Sequence, residues 1–186
     1  MKIRIDSFYT DSKSSDYSFI SSQKRFQTIF ENVKIEDISI LDYGCGPGNL
    51  CQWFKDEKRI PKLYHGYDIR EETIQYAKEK HSDWMFTSET STFASYDMIL
   101  LIGTISYAFS QDIALCKDFY LKEIQKVKFH LRENGKIWIT ARKYGKERGA
   151  NNKKLMITYT EEELQNVFKP NSLIDLFEHE WLLTIC

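Results

Sequence analysis

The sequence predicts an α/β protein built on an open, mostly parallel sheet, and three observations carry that expectation. Short apolar, β-prone runs alternate with stretches whose apolar residues recur at helical spacing. One run, 96–103, is apolar almost throughout, as a strand covered on both faces requires. An earlier run, 38–43, opens into glycines at every second position (Gly44, Gly46, Gly48) ahead of an amphipathic helix. Such glycines let the backbone turn through φ/ψ values closed to other residues and remove Cβ atoms from the path of a ligand. Strand, glycine turn and helix N-terminus together read as a nucleotide-type cofactor site.

The elements follow in order. Residues 1–15 are polar and serine-bearing, and with Phe8, Tyr9, Tyr17 and Phe19 they read as an arm or lid. Ser22 is placed to cap a helix to about Asn32, whose stripe is Phe26, Ile29, Phe30 and Val33. After strand 38–43 a helix runs from about Asn49 to Lys58 with Leu50, Trp53 and Phe54 inward, and Pro61 resets the chain. Residues 63–69 read as a strand, 71–80 as a helix burying Ile74 and Ala77, and 84–87 as a short strand. The apolar strand 96–103 leads to a helix over 112–133 with Leu121, Ile124, Val127 and Leu131 in its stripe, and Asn134-Gly135 is expected to stop it. Strand 136–141 and a basic loop, 142–154, come next. Thr160 with Glu163 forms a capping box for a helix that ends before Pro170, and 173–177 with 181–185 read as a closing hairpin.

A chain of 186 residues suggests a single domain, 1–186, that buries roughly 70% of its extended-chain surface on folding. Twelve Phe, eleven Tyr and four Trp supply enough large core pieces that no covalent staple is needed. The formal charge of −1 gives no overall pull toward nucleic acid or anionic lipid. Cys45, Cys51, Cys116 and Cys186 show no metal spacing and read as reduced thiols of a cytoplasmic protein. Residues 1–16 lack the apolar region of a signal peptide, and the run 98–102 is too short to span a bilayer.

In an open α/β sheet, ligands sit beyond the carboxyl ends of the strands. The turn Asp42-x-Gly44-x-Gly46-x-Gly48 is led by an acid; a dinucleotide fingerprint would want glycine at 49, where Asn49 stands, and no Lys-Ser/Thr follows as a P-loop requires. Asp68 lies 20 residues past Gly48 at the end of the next strand, where a carboxylate can accept both hydroxyls of a ribose. On these residues the chain resembles, over essentially its whole length, the class I S-adenosylmethionine (SAM)-dependent methyltransferases. The resemblance implies a Rossmann-like three-layer sandwich around a seven-stranded sheet whose last strand is antiparallel. It also implies SAM as methyl donor and S-adenosylhomocysteine (SAH) as product. The cofactor set it implies is Arg25, Asp42, Gly44, Gly46, Gly48, Asp68, Ile69, Glu89, Ile102 and Gly103. Glu89 would meet the adenine amino group, Gly103 the methionine part, and Arg25 the SAM carboxylate, to which its fork is suited.

Ser106, Tyr107, Arg142 and Tyr17 are the candidates for the acceptor pocket. No metal is expected, and none of the four histidines is placed as a base, so catalysis is expected to rest on proximity and orientation. The Asn/Asp-Pro-Pro-Tyr/Phe signature of amide and base amino methylation is absent, since strand four ends Gly-Thr-Ile-Ser. The expectation is methylation of N or O on a small molecule. Two alternatives stay open: an RNA-directed enzyme using the loop 142–154, which holds six cations against one acid, or a non-catalytic SAM-binding module.

Overall fold

The computed structural model describes residues 22–144 and 157–186. Seven strands form one sheet in the order β3-β2-β1-β4-β5-β7-β6. They are β1 (Ser39–Tyr43), β2 (Leu63–Tyr67), β3 (Met85–Thr87), β4 (Tyr96–Leu101), β5 (Leu131–Arg142), β6 (Ser172–Phe177) and β7 (Glu180–Ile185). Strands β1 to β5 pair in parallel, and β7 runs antiparallel to both β5 and β6. The expected seven-stranded sheet with an antiparallel last strand is therefore present. Strand β1 sits near the middle, and all five of its residues are buried.

Helices α1 (22–30), α2 (Asn49–Asp56) and α3 (Glu71–Lys80) bring apolar faces to one core. Phe26, Phe30, Leu50, Trp53, Phe54 and Ile74 meet there. Arg59 holds the end of α1 by donating from Nη1 to the carbonyl of Phe30 at 2.8 Å. Helices α4 (Ile113–Lys128) and α5 (Glu161–Phe168) contribute Ile124, Val127, Leu164 and Phe168 to a second core. Between β3 and β4 the chain makes one 3-10 turn, Thr90–Thr92, rather than a helix. The Phe93 ring there stands edge-on to Tyr67 (5.3 Å between centroids), Tyr43 (6.3 Å) and Tyr96 (6.4 Å). An aromatic strap thus supplies the apolar cover that a crossover helix would otherwise give β1 and β2.

Strands expected at 63–69 and 96–103 end two residues earlier, Ser22 lies within α1 rather than capping it, and the largest difference falls between α4 and β5. Helix α4 ends at Lys128, and 131–142 is a single strand. Asn134-Gly135 does not cap the helix. It lies where the β4–β5 register shifts from Tyr96↔Leu131 to Met98↔Lys136. Asn134 has φ +64, and a Cβ on Gly135 would stand 2.8 Å from Leu131. A left-handed residue followed by glycine suits a bulge as well as a helix end, so sequence alone does not separate them. The capping box of α5 is formed, with the Thr160 side chain accepting from the Glu163 N–H and the Glu163 side chain from that of Thr160.

Candidate functional site

The glycine turn is stitched to the end of β2 by its first two N–H groups. Those of Gly44 and Cys45 both donate to the Tyr67 carbonyl, at 2.7 and 2.8 Å. Its three glycines have φ of +89, +54 and +84, but their surroundings differ. A Cβ on Gly44 would stand 2.5 Å from Thr104 Oγ1, and one on Gly48 would stand 2.6 Å from the His81 ring. A Cβ on Gly46 would meet nothing within 4 Å. Two glycines therefore admit packing partners, and Gly46 alone of the three faces open space. Thr104 donates to the Tyr43 carbonyl at 2.9 Å, tying the end of β4 to that of β1. His81 is 1% exposed, and burial lowers its pKa to about 4, so it is a neutral wedge behind the turn. Helix α2 starts directly after Gly48, its N-cap, with no side-chain cap and no acid in its first turn, so no side-chain carboxylate there offsets its positive end.

Across the turn, Asp68 accepts from the Gly46 N–H at 3.1 Å through Oδ2. Its Oδ1 accepts from the Arg70 N–H at 3.0 Å and from Arg70 Nε at 3.2 Å. Two backbone bonds thus fix the carboxylate plane. Ile69 beside it is half exposed, an uncovered apolar side chain at the crevice edge. Glu89 is exposed on a loop closed by the Thr87 and Thr92 hydroxyls, each of which bonds its backbone. Asp42, by contrast, is buried in β1 and accepts the Tyr64 hydroxyl at 2.6 Å. Burial raises its pKa to about 7, against the pull of the Tyr64 hydrogen bond, with the nearby Asp68 charge adding to the rise.

On the β4 side Gly103 has φ +74, and its N–H donates to Thr140 Oγ1 at 2.8 Å. Arg25 reaches this point from α1: its Nη1 lies 4.0 Å from where a Gly103 Cβ would be. Its Nε donates to Glu180 Oε2 at 2.7 Å. Ile102 is half-buried beside them. Ser106 is 2% exposed with its hydroxyl unpaired, and its carbonyl accepts from the Ile157 N–H at 3.0 Å. Tyr107 is exposed, and its carbonyl accepts the Tyr120 hydroxyl at 2.7 Å. Arg142 is half-buried at the end of β5. Tyr17, and residues 145–154 of the basic loop, lie outside the described residues. Lys143 of that loop is engaged, bonding Asp175 at 2.7 Å and standing 4.2 Å over the Trp181 ring. Among the described residues no cluster of His, Cys, Asp or Glu suits a metal ion, and no helix is long and apolar enough to cross a membrane.

Thr104, His81, Thr140 and Glu180 were not singled out from sequence. Each acts through a contact distant along the chain, and no local spacing marks it.

A family model described as a methyltransferase domain matches residues 18–180. The chain belongs to that family. No curated protein is significantly similar in sequence. Solved structures share the fold of this methyltransferase at low identity. The magnesium protoporphyrin IX methyltransferase ChlM of Synechocystis PCC 6803, with bound SAM, has TM-score 0.62 and 11% identity over 98% of this chain and 86% of its own. An S-adenosylmethionine-dependent methyltransferase from Clostridium acetobutylicum ATCC 824 has TM-score 0.63 and 14% identity over 93% and 98%. The pyocyanin biosynthetic protein PhzM has TM-score 0.69 and 15% identity over 92% of this chain, which spans only 57% of PhzM.

The methyltransferase's residues fit SAM, the cofactor of the class I fold. The free space at Gly46, the fixed carboxylate of Asp68 and the uncovered Ile69 suit a nucleoside. The Arg25 guanidinium beside Gly103 suits a carboxylate.

Proposed function

We propose that this methyltransferase transfers the methyl group of SAM to an N or O atom of a small molecule, leaving SAH. Bound SAM supplies an already activated methyl group on its sulfonium. The chain's own contribution is orientation, worth roughly 7–11 kcal/mol at the upper end. In this reading Asp68 accepts the ribose hydroxyls once the Arg70 side chain yields, and Gly46 lets main chain approach the nucleoside. Ile69 and Glu89 flank the adenine. Ile102 and Gly103 underlie the methionine part, whose carboxylate meets Arg25. Asp42, Gly44 and Gly48 serve the site by holding the turn in shape. Ser106, Tyr107 and Arg142, with Tyr17, form the acceptor side.

The observation that carries the reading is the Gly46–Asp68 hydrogen bond across a turn whose middle glycine opens on free space. Among the described residues of the basic loop, two features favour a small acceptor over RNA. Lys143 is held by Asp175 and Trp181, and Arg142 is a single half-buried guanidinium, suited to one carboxylate or phosphate. No general base is invoked. His65 is buried against the Tyr96 hydroxyl at 2.6 Å, and His81 is wedged behind Gly48.

The test is transfer of labelled methyl from SAM into a metabolite extract, with mass identification of the product. A labelled low-mass compound is expected with the wild type and, at limiting SAM, far less of it with Asp68→Ala, whose SAM affinity should fall by roughly 10–100-fold. Label confined to RNA or protein would overturn the small-molecule assignment, and absence of SAM binding by calorimetry would overturn the site.

A further inference from the structure

We propose that Glu180 is the positioning residue that aims Arg25 at the amino-acid carboxylate of the cofactor. Through Arg25 it lets the protein tell the complete cofactor from its bare nucleoside. The proposal rests on the reading above and adds a residue to it.

Glu180 is the first residue of β7, paired with Arg142 of β5 and Phe177 of β6, so it stands at the carboxyl end of the parallel strands, where the cofactor crevice lies. It is 2% exposed. A carboxylate taken that far from water needs a charged, hydrogen-bonded partner, and the Arg25 Nε–H supplies one at 2.7 Å. The pair joins residues 155 apart in sequence.

A guanidinium is planar, with five N–H donors in fixed directions. Once Glu180 holds Nε, the plane is set and the directions of both Nη groups follow. One of them, Nη1, lies beside Gly103, 4.0 Å from where a Cβ there would stand. Arg25 is fixed at its base as well, since its neighbour Phe26 is buried against Trp53 at 6.1 Å between centroids. Glu180 therefore leaves Arg25 with its Nη donors ordered before any ligand arrives. A carboxylate entering over Gly103 then need not immobilise a long side chain.

The experiment titrates two probes by calorimetry: SAH, which carries the amino-acid group, and 5′-methylthioadenosine, which has the same nucleoside without it. With Glu180→Ala, which removes the acceptor for Arg25 Nε, we expect SAH binding to weaken about tenfold or more while 5′-methylthioadenosine stays within about twofold. Arg25→Ala should give the same selective loss, and the double variant should lose no more than Arg25→Ala alone. Glu180→Gln, whose amide oxygen still accepts from Nε, should keep most of the preference for SAH. Should Glu180→Ala not fold, Arg25→Lys carries the test, because one Nζ cannot serve Glu180 and a ligand carboxylate in the guanidinium's geometry. A retained preference for SAH in that variant overturns the proposal. Unchanged or tighter SAH binding in Glu180→Ala also overturns it, as does an equal loss for both probes, which a merely structural role would give. If Arg25→Ala loses SAH selectively and Glu180→Ala does not, the cofactor site stands and the role of Glu180 falls. A wild type that binds neither probe overturns both.

Discussion

A Cβ added at Gly44 would stand 2.5 Å from the Thr104 hydroxyl, whereas one added at Gly46 would meet nothing within 4 Å, so substitutions at the two sites separate stability from binding. Both positions have positive φ, and alanine in that region costs about 1–2 kcal/mol. Gly44→Ala must also push Thr104 aside, and we expect its thermal midpoint to fall further than that of Gly46→Ala, with partial recovery in Thr104→Ala. Gly46→Ala should weaken SAM more than it weakens the fold, and equal effects of the two substitutions on both readouts would contradict this division. Asp42 makes a second residue-level prediction. Its folded pKa of about 7 lies above the ordinary 3.8 because burial penalises the charged form. Folding therefore takes up a proton: the favourable contribution is complete below about pH 4 and is lost as pH rises to about 7. Between pH 5 and 7 the loss is on the order of 2–3 kcal/mol. Asp42→Asn keeps an acceptor for the Tyr64 hydroxyl and removes the titration. Denaturant melts should show the variant gaining on the wild type as pH rises over that interval, and parallel stability curves would exclude it.

At the scale of elements, the strap between β3 and β4 carries a load that a helix would spread over several residues. Phe93 stands against Tyr43, Tyr67, Tyr96 and, at 5.3 Å, His130. Phe93→Ala is expected to destabilise by about 2–3 kcal/mol, below the cost for a fully buried Phe because the ring is only half-buried. An unchanged urea midpoint would show that the strap does not hold this face. Element existence was legible because periodicity is local: the stripe Phe26, Ile29, Phe30 and the capping box Thr160–Glu163 both reappear in the fold. Asn134-Gly135 was misread because a helix end and a bulge make the same φ demand, and only the pairing of β4 with β5 distinguishes them. The nearness of Asp68 to the glycine turn was legible because one helix and one strand, α2 and β2, separate them along the chain. Glu180 was not: within the hairpin it looks like any polar turn residue, and its meaning comes from Arg25 at the other end of the chain.

For the whole molecule, that long-range pair has a consequence for how the site is assembled. The proposed nucleoside side is built from neighbouring elements: the turn after β1 bonds the end of β2, and Asp68 bonds Gly46. The proposed carboxylate side instead needs α1, the end of β4 and the start of β7 together, because Arg25 stands beside Gly103 only while α1 is docked and Glu180 is in the ladder. A ligand that binds only the assembled state stabilises it by mass action. SAH should therefore slow amide hydrogen exchange in 22–30 and in 180–183 beyond its effect at the glycine turn. 5′-Methylthioadenosine should protect the turn and the end of β2 while leaving α1 and β7 near their unliganded rates. Neither ligand should change β6, whose Ile174 is half exposed on the sheet edge. Equal protection of α1 by the two ligands would mean that the nucleoside alone assembles the site, and that the two ends of the chain are coupled through the core formed by Phe26, Phe30 and Trp53 rather than through Arg25 and Glu180.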